Sequence, residues 1–314
     1  MLSYTASIPS QGRNQKTNPP HLRAPVWGDC IPIIRGQDVR MSNKQHLIII
    51  AACAISTGAF GQKESPVQSP ARPFNLDIVA PVQLAGSDEA SSIFQSEVLP
   101  GMLKLADQSL SEASKLSNLH SITLDPSKLV LAHDATARVY FLSEGAGFRN
   151  SLGISTTGKG PFGEDAALIF PDGTSAGGFG GSNSQVRTSK EPLAAGDFVN
   201  LGTYKAGTSL DFFLIADGAV GGNNFFSTDL SLNRDGIVHA VSLAPDGSAY
   251  LIIGFEDLLG GGDKDYNDLL FAVEIGKANV ENLASLNAPE PTLALGAVLV
   301  FGLLAGFTRR RSPG

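Results

Sequence analysis

The chain has 314 residues and a formal net charge of -7, a figure that hides a strong segregation of charge. Between Gln62 and Glu290, 14 Lys and Arg stand against 28 Asp and Glu, so this stretch carries -14, which argues against nucleic-acid binding because phosphate contacts need a basic face. Both cysteines, Cys30 and Cys53, lie upstream of Gln62; disulfides, a thiol nucleophile and thiolate metal ligation are therefore excluded from that stretch.

Residues 1–40 are rich in Pro and Asn, without sustained periodicity, and are read as a disordered extension or a start-codon artefact. At Met41 a new pattern begins. Lys44 and His46 precede the apolar run Leu47–Ile55, and small residues ending at Ala59-Phe60-Gly61 follow. A charged region, a short apolar core and a small-x-small site make a signal peptide over 41–61, cut before Gln62. A lipoprotein-like Ile50-Ala-Ala-Cys53 is the rival reading of the same residues.

Residues 62–88 are Pro-rich and read as a linker. Residues 89–121 read as helical, divided at Pro100-Gly101; Leu103, Ala106, Leu110, Ala113 and Leu116 recur at three and four, an amphipathic stripe suited to packing on the domain that follows. From 122 to 277 short apolar runs alternate with Gly, Asp and Asn. Strands are expected at Lys128–Leu131, Arg138–Leu142, Ala167–Phe170, Asp197–Leu201, Leu210–Ala216, Ile237–Leu243, Ala249–Phe255 and Leu269–Ile275. Turns at Pro171-Asp-Gly173, Asp217-Gly218, Asp235-Gly236 and Pro245-Asp-Gly247 punctuate them. The expected fold is mainly β, a β-sandwich or jelly roll. Leu269, Phe271, Val273 and Ile275 on one face, against Leu270, Ala272 and Glu274 on the other, suggest that the last strand is half-buried.

Three segments in this region carry a resemblance: Phe141–Gly153, Asn233-Arg-Asp-Gly-Ile-Val-His239, and the closing motif Gly254–Phe271. Together they resemble the DUF-4114 family, a domain of unknown function, over residues 134–276. The likeness implies a β fold and an exported setting but no activity.

The closing motif is also the densest in chemistry. Glu256, Asp257, Asp263, Asp265, Asn267 and Asp268 fall within thirteen residues, around Gly260-Gly-Gly262. So many carboxylates repel one another unless a cation or hydrogen-bond donors intervene. Hard cations such as Ca²⁺ take six to eight oxygens from carboxylates, amides and carbonyls, and glycines let carbonyls turn inward. Glu274 stands twelfth from Asp263, but the sixth position is Asp268 rather than Gly and the exit reads as a strand, so an EF-hand is rejected. A Ca²⁺ loop closing a β-sandwich remains, against the alternative that these acids cap turns. Glu164, Asp165 and Asp172 form a second acidic set beside Gly173–Gly181, read as a loop before an ion site.

No catalytic constellation is expected. Gly173-Thr-Ser175-Ala-Gly177 matches a nucleophile elbow in form, with His120, His133 or His239 as possible bases, yet glycines follow where a helix should start. Adjacent Glu256 and Asp257 would point to opposite faces of a strand, which does not suit a glycosidase pair. Arg149 reads as the partner of a nearby acid.

After a linker at 278–288, Pro289-Glu290-Pro291 precedes the uncharged run 292–308, and Arg309-Arg310-Arg311 follow. Seventeen residues make a helix of about 25 Å, enough to span a bilayer, and the arginines hold the tail inside. This tripartite tail, 289–311, resembles the PEP-CTERM sorting signal. The resemblance implies an exosortase-type sorting protease as partner, transient residence in the inner membrane, and release to the cell surface or outside. A plain C-terminal anchor is the alternative. The expected function is an exported cell-surface or extracellular-matrix structural or interaction protein, Ca²⁺-stabilised and associated with extracellular polysaccharide or biofilm. The alternative is a carbohydrate-binding module using Tyr140, Tyr204, Tyr250 and Tyr266, and a secreted hydrolase ranks below it.

Overall fold

A computed structural model describes residues 67–110, 123–177 and 187–287. The protein is mainly β, with two antiparallel sheets. The strands are β1 (Thr123–Leu124), β2 (Ala135–Ser143), β3 (Ser151–Ser155), β4 (Ala167–Phe170), β5 (Phe198–Tyr204), β6 (Asp211–Ala216), β7 (Asn224–Ser227), β8 (Ala240–Leu243), β9 (Tyr250–Phe255) and β10 (Leu269–Glu274). One sheet runs β1-β8-β9-β10-β2-β5 and the other β4-β3-β6-β7. A shared core lies between them, where Val139, Phe141, Ile253, Phe255, Phe271 and Val273 of the larger sheet meet Leu152, Ile154, Phe212 and Leu214 of the smaller.

The outer faces are covered too. Helices α1 (Glu89–Ile93) and α2 (Leu99–Ser109) lay Phe94, Leu99, Met102 and Ala106 on Tyr140, Leu142, Ile252, Leu270 and Ala272. Phe94 stacks on Tyr140 at 3.8 Å with 9° between the rings. The helical segment starts where it does because Asp88 and Ser91 form a capping box: Asp88 Oδ1 accepts from the Ser91 N–H at 2.7 Å, and Ser91 Oγ accepts from the Asp88 N–H at 3.1 Å. Pro100 does not divide the segment at its own position. It sits in the first turn of α2, where its missing N–H costs least, and a π-type turn over Phe94–Val98 joins it to α1.

With both faces covered, the last strand is not half-buried. Leu269, Phe271 and Val273 face the core between the sheets, while Leu270 and Ala272 face the helices, so β10 is buried on both sides. Residues 67–88, expected as a linker, instead pair with the sheet edges. Val79 donates to the Leu168 carbonyl at 2.9 Å, and Gln83 and Phe198 exchange bonds of 2.7 and 3.0 Å. Leu76 covers Leu168, Phe213 and Ile215 on the outer face of the smaller sheet. Lys128–Leu131 is not a strand: Pro126–Lys128 forms a 3₁₀ turn, and only an isolated bridge from Val130 to Ser209 remains.

The region 278–288, expected as a linker, holds helix α3 (Lys277–Asn287), which puts Val280 and Leu283 into the core. Its buried Asn279 accepts from the N–H groups of Ala132 and His133, both at 2.9 Å, and donates to Ile275 at 2.8 Å. Helix α3 is thereby tied to the loop before β2. Among the described residues no helix is long and apolar enough to cross a membrane. The signal peptide expected at 41–61, Ala113 and Leu116 of the amphipathic stripe, the membrane helix expected at 292–308 and the expected sorting residues Pro289, Glu290, Pro291, Arg309, Arg310 and Arg311 lie outside the described residues.

Candidate metal centre

The closing loop leaves β9 at Phe255 and enters β10 at Leu269, central neighbours in the larger sheet. Adjacent residues leaving a strand diverge, and Glu256 and Asp257 do so here. Glu256 Oε1 accepts from the Tyr266 N–H at 2.8 Å, whereas Asp257 Oδ2 accepts from Asn150 Nδ2 at 2.7 Å.

The loop returns toward Glu256 through Gly260, Gly261 and Gly262, all with positive φ. A Cβ at Gly262 would meet Glu256 Oε2 at 2.2 Å, so glycine here lets the backbone approach this carboxylate without displacing it. Beyond it, Lys264 (φ 65°) and Tyr266 (φ 57°) take the left-handed conformation on either side of Asp265. That conformation costs roughly 1–2 kcal/mol for an ordinary residue and persists only where the surroundings enforce it. The outcome is a convergence of three acids: one ligand oxygen each from Glu256, Asp263 and Asp265 lies within 4.8 Å of the others. Glu256 and Asp265 are buried and Asp263 is exposed.

The other three sequence candidates do different work. Asn267 Nδ2 donates to Asp265 Oδ2 at 2.5 Å and orients it. Asp268 Oδ2 accepts from the Asp257 N–H at 2.8 Å, which ties the two ends of the loop together. Burial pushes the carboxyls of Asp257 and Asp268 up, and for Asp268 the neighbouring Asp257 carboxylate adds to it. Glu256 is pushed up to about 7, first by burial and then by the carboxylates of Asp263 and Asp265. Below about pH 7 Glu256 therefore holds a proton that a divalent cation would displace. The donor set is all oxygen, as a hard cation requires, and the exposed side of Asp263 leaves room for water in the shell. Glu256, Asp263 and Asp265 are the residues that would hold Ca²⁺.

One strut of this loop, Asp235, and one buried acid elsewhere, Glu144, escaped the sequence reading. Asp235 Oδ2 accepts from the Gly260 N–H at 2.8 Å and lies 2.9 Å from His239 Nε2. Asp235 was legible as a turn residue, but nothing in the sequence shows that its carboxylate reaches 25 residues ahead. His239 is fully buried against Phe226, with rings 4.0 Å apart, as a structural histidine would be. Glu144 is the other omission. It is buried, accepts from the Ser175 N–H at 3.2 Å and is pushed up to about 7 by burial, then by Asp172 and Asp257.

Residues 204–276 match the DUF4114 family model, described as a domain of unknown function. No curated protein matches the chain, and no solved structure does. The DUF4114 match includes the whole acidic trio, Asp235 and His239. It stops short of Phe141–Gly153, which the sequence resemblance had included. The folded unit is larger than the match: β2 lies between β10 and β5, and β3 lies beside β6, so the DUF4114 strands alone complete neither sheet.

The remaining sequence candidates separate. Asp165 caps the β3–β4 hairpin through Ser155 Oγ and the Thr156 N–H, both at 2.8 Å. Asp172 pairs with Arg149, and Glu164 is exposed elsewhere, so the second acidic set does not converge. No hydrogen bond joins Ser175 to His133 or His239, and His120 lies outside the described residues. The tyrosines do not present a coplanar exposed pair: Tyr140 and Tyr266 are buried, and Tyr250 meets Tyr140 at 64°.

Proposed function

We propose that the protein is an exported surface or extracellular-matrix interaction protein whose closing loop is held by Ca²⁺ at Glu256, Asp263 and Asp265. One observation carries the cation: three carboxylates converge on a loop that keeps two non-glycine residues left-handed and a glycine against Glu256. The setting is supported by the acidic charge of 62–290, its lack of cysteine, the signal-peptide pattern and the PEP-CTERM-like tail. An anionic domain of this kind resists non-specific association in water and gathers cations. Polysaccharide association belongs to the same reading, with cation-bridged acidic glycans as the matching chemistry. The PEP-CTERM-like tail would deliver the domain through the inner membrane to an exosortase-type protease.

Calorimetric titration of the full chain with Ca²⁺ tests the site. The expected result is saturable heat and a rise in melting temperature, since a ligand that binds only the folded state stabilises it. Both should disappear in Asp263→Ala plus Asp265→Ala. No heat, or unchanged affinity in the double variant, removes the cation from the account.

A further inference from the structure

The arm at 67–71, expected as part of a linker, makes one wall of a cavity. Ser69 Oγ donates to the Ala219 carbonyl at 2.5 Å, and Gln68 Oε1 accepts from the Asp172 N–H at 2.9 Å. The opposite wall is fixed as firmly. The Ala219 N–H donates to the Arg149 carbonyl at 3.0 Å, and Asp217 Oδ1 accepts from the Arg149 N–H at 3.2 Å. Between the walls lies a volume of about 540 Å³, within the range of small-ligand sites. Val67 (73% exposed), Pro70 and Val220 (56%) stand at its mouth, and Gln68, Arg149 and Ser189 line it.

Among the described residues five buried side-chain nitrogen or oxygen atoms have no hydrogen-bond partner, and two of them, Gln68 Nε2 and Arg149 Nε, belong to residues of this one cavity. Buried polar atoms are nearly always bonded. Both of these are donors. Asp172 holds the two side chains in place, its carboxylate on Arg149 Nη2 and its N–H on Gln68 Oε1, and leaves the other nitrogens over. The Ser189 carbonyl accepts from Arg149 Nη2 at 3.3 Å and keeps a second lone pair. The cavity thus combines two donors with one acceptor.

We propose that this cavity binds a sugar unit of a neutral glycan. Hydroxyl groups accept and donate, so the edge of one sugar ring answers Gln68, Arg149 and Ser189 together, while its C–H face rests on Val67, Pro70 and Val220. An anion suits the site less well. Asp172 already neutralises Arg149, and the stretch from Gln62 to Glu290 carries -14. No strand lines the cavity, so an extended peptide finds no ladder to join. The site needs neither Ca²⁺ nor an exported setting.

A printed array of neutral and acidic oligosaccharides, probed with the full chain in EDTA, tests the site. Neutral glycans should be retained, and retention without Ca²⁺ separates this site from the closing loop. Calorimetry then measures a retained glycan against two variants. Val220→Arg obstructs the exposed mouth, so the melting temperature should hold while affinity falls by about tenfold or more. Gln68→Glu keeps an acceptor for the Asp172 N–H but removes the donor, and should lower affinity by about tenfold. The proposal is overturned if no neutral glycan is retained, if only acidic glycans are, or if affinity is unchanged in either variant.

Discussion

Replacing Phe271 with alanine is expected to destabilise the protein by about 4 kcal/mol, near the upper end for a buried aromatic. Phe271 is wholly buried in β10, the strand that holds β9 and β2 together in the larger sheet. Its ring lies 5.3 Å from Phe212 of the opposite sheet and 6.2 Å from Phe255 on the neighbouring strand. Truncation therefore removes contacts within one sheet and between both, and neither sheet can collapse into the gap without breaking the pairing of Phe271 with Ile253 and Phe141. Urea unfolding should show a lower midpoint with unchanged slope, and the melting temperature should fall by roughly 10 °C for a domain of this size. A cost below about 1 kcal/mol would mean that Phe271 does not sit between two sheets.

The second large effect is one of pH. In Ca²⁺-free buffer the folded chain should be most stable near pH 5 and lose on the order of several kcal/mol by pH 8. Glu144 and Glu256 are each pushed up to about 7, first by burial, from an ordinary value of 4.5. Below 4.5 both states carry the proton and the full stability is present. Between 4.5 and 7 the unfolded chain has released it while the folded chain holds it, so stability falls as pH rises; above 7 the loss is complete. Asp88, Asp125, Asp165 and Asp235 act in the opposite sense. Burial pushes them up, but their hydrogen bonds together outweigh it and hold them below 3.8, so their contribution is lost only at lower pH.

Thermal unfolding from pH 4.5 to 8 measures the decline. Glu144→Gln should flatten it, and saturating Ca²⁺ should remove the share that belongs to Glu256, because the cation binds the ionised form. Stability that rises from pH 5 to 8 without Ca²⁺ would show that these carboxyls are already charged in the folded chain.

The fold class was readable because its signal is local. Period-two apolar runs and Asp-Gly turns placed Ala167–Phe170 at its observed bounds and located most other strands to within a few residues. Strands β3 and β7 escaped for physical reasons. In β3, Gly153 interrupts the apolar run, yet glycine is required there, because a Cβ would meet the Phe213 ring at 2.3 Å. In β7 only Phe225 and Phe226 are apolar, and its edge position is set by pairing with β6, which no local pattern encodes. The same limit hid the coverage of outer faces. Leu270 and Ala272 look like a solvent-side pattern until α2 is seen to lie on them.

At the closing loop, composition revealed that six oxygen-bearing side chains crowd together but not which of them converge. That division depends on Lys264 and Tyr266 turning left-handed, on Asn150 drawing Asp257 away, and on Asp235 gripping Gly260. Each is a contact or a backbone state fixed by tertiary packing.

A crystal structure of the full chain grown in Ca²⁺, read for anomalous scattering, tests the central claim most directly. It should show one strong peak bonded to oxygens of Glu256, Asp263 and Asp265 at about 2.3–2.6 Å, with carbonyls or waters completing six to eight ligands. A peak held by other residues, or these three carboxylates bonded only to protein donors at saturating Ca²⁺, would contradict it.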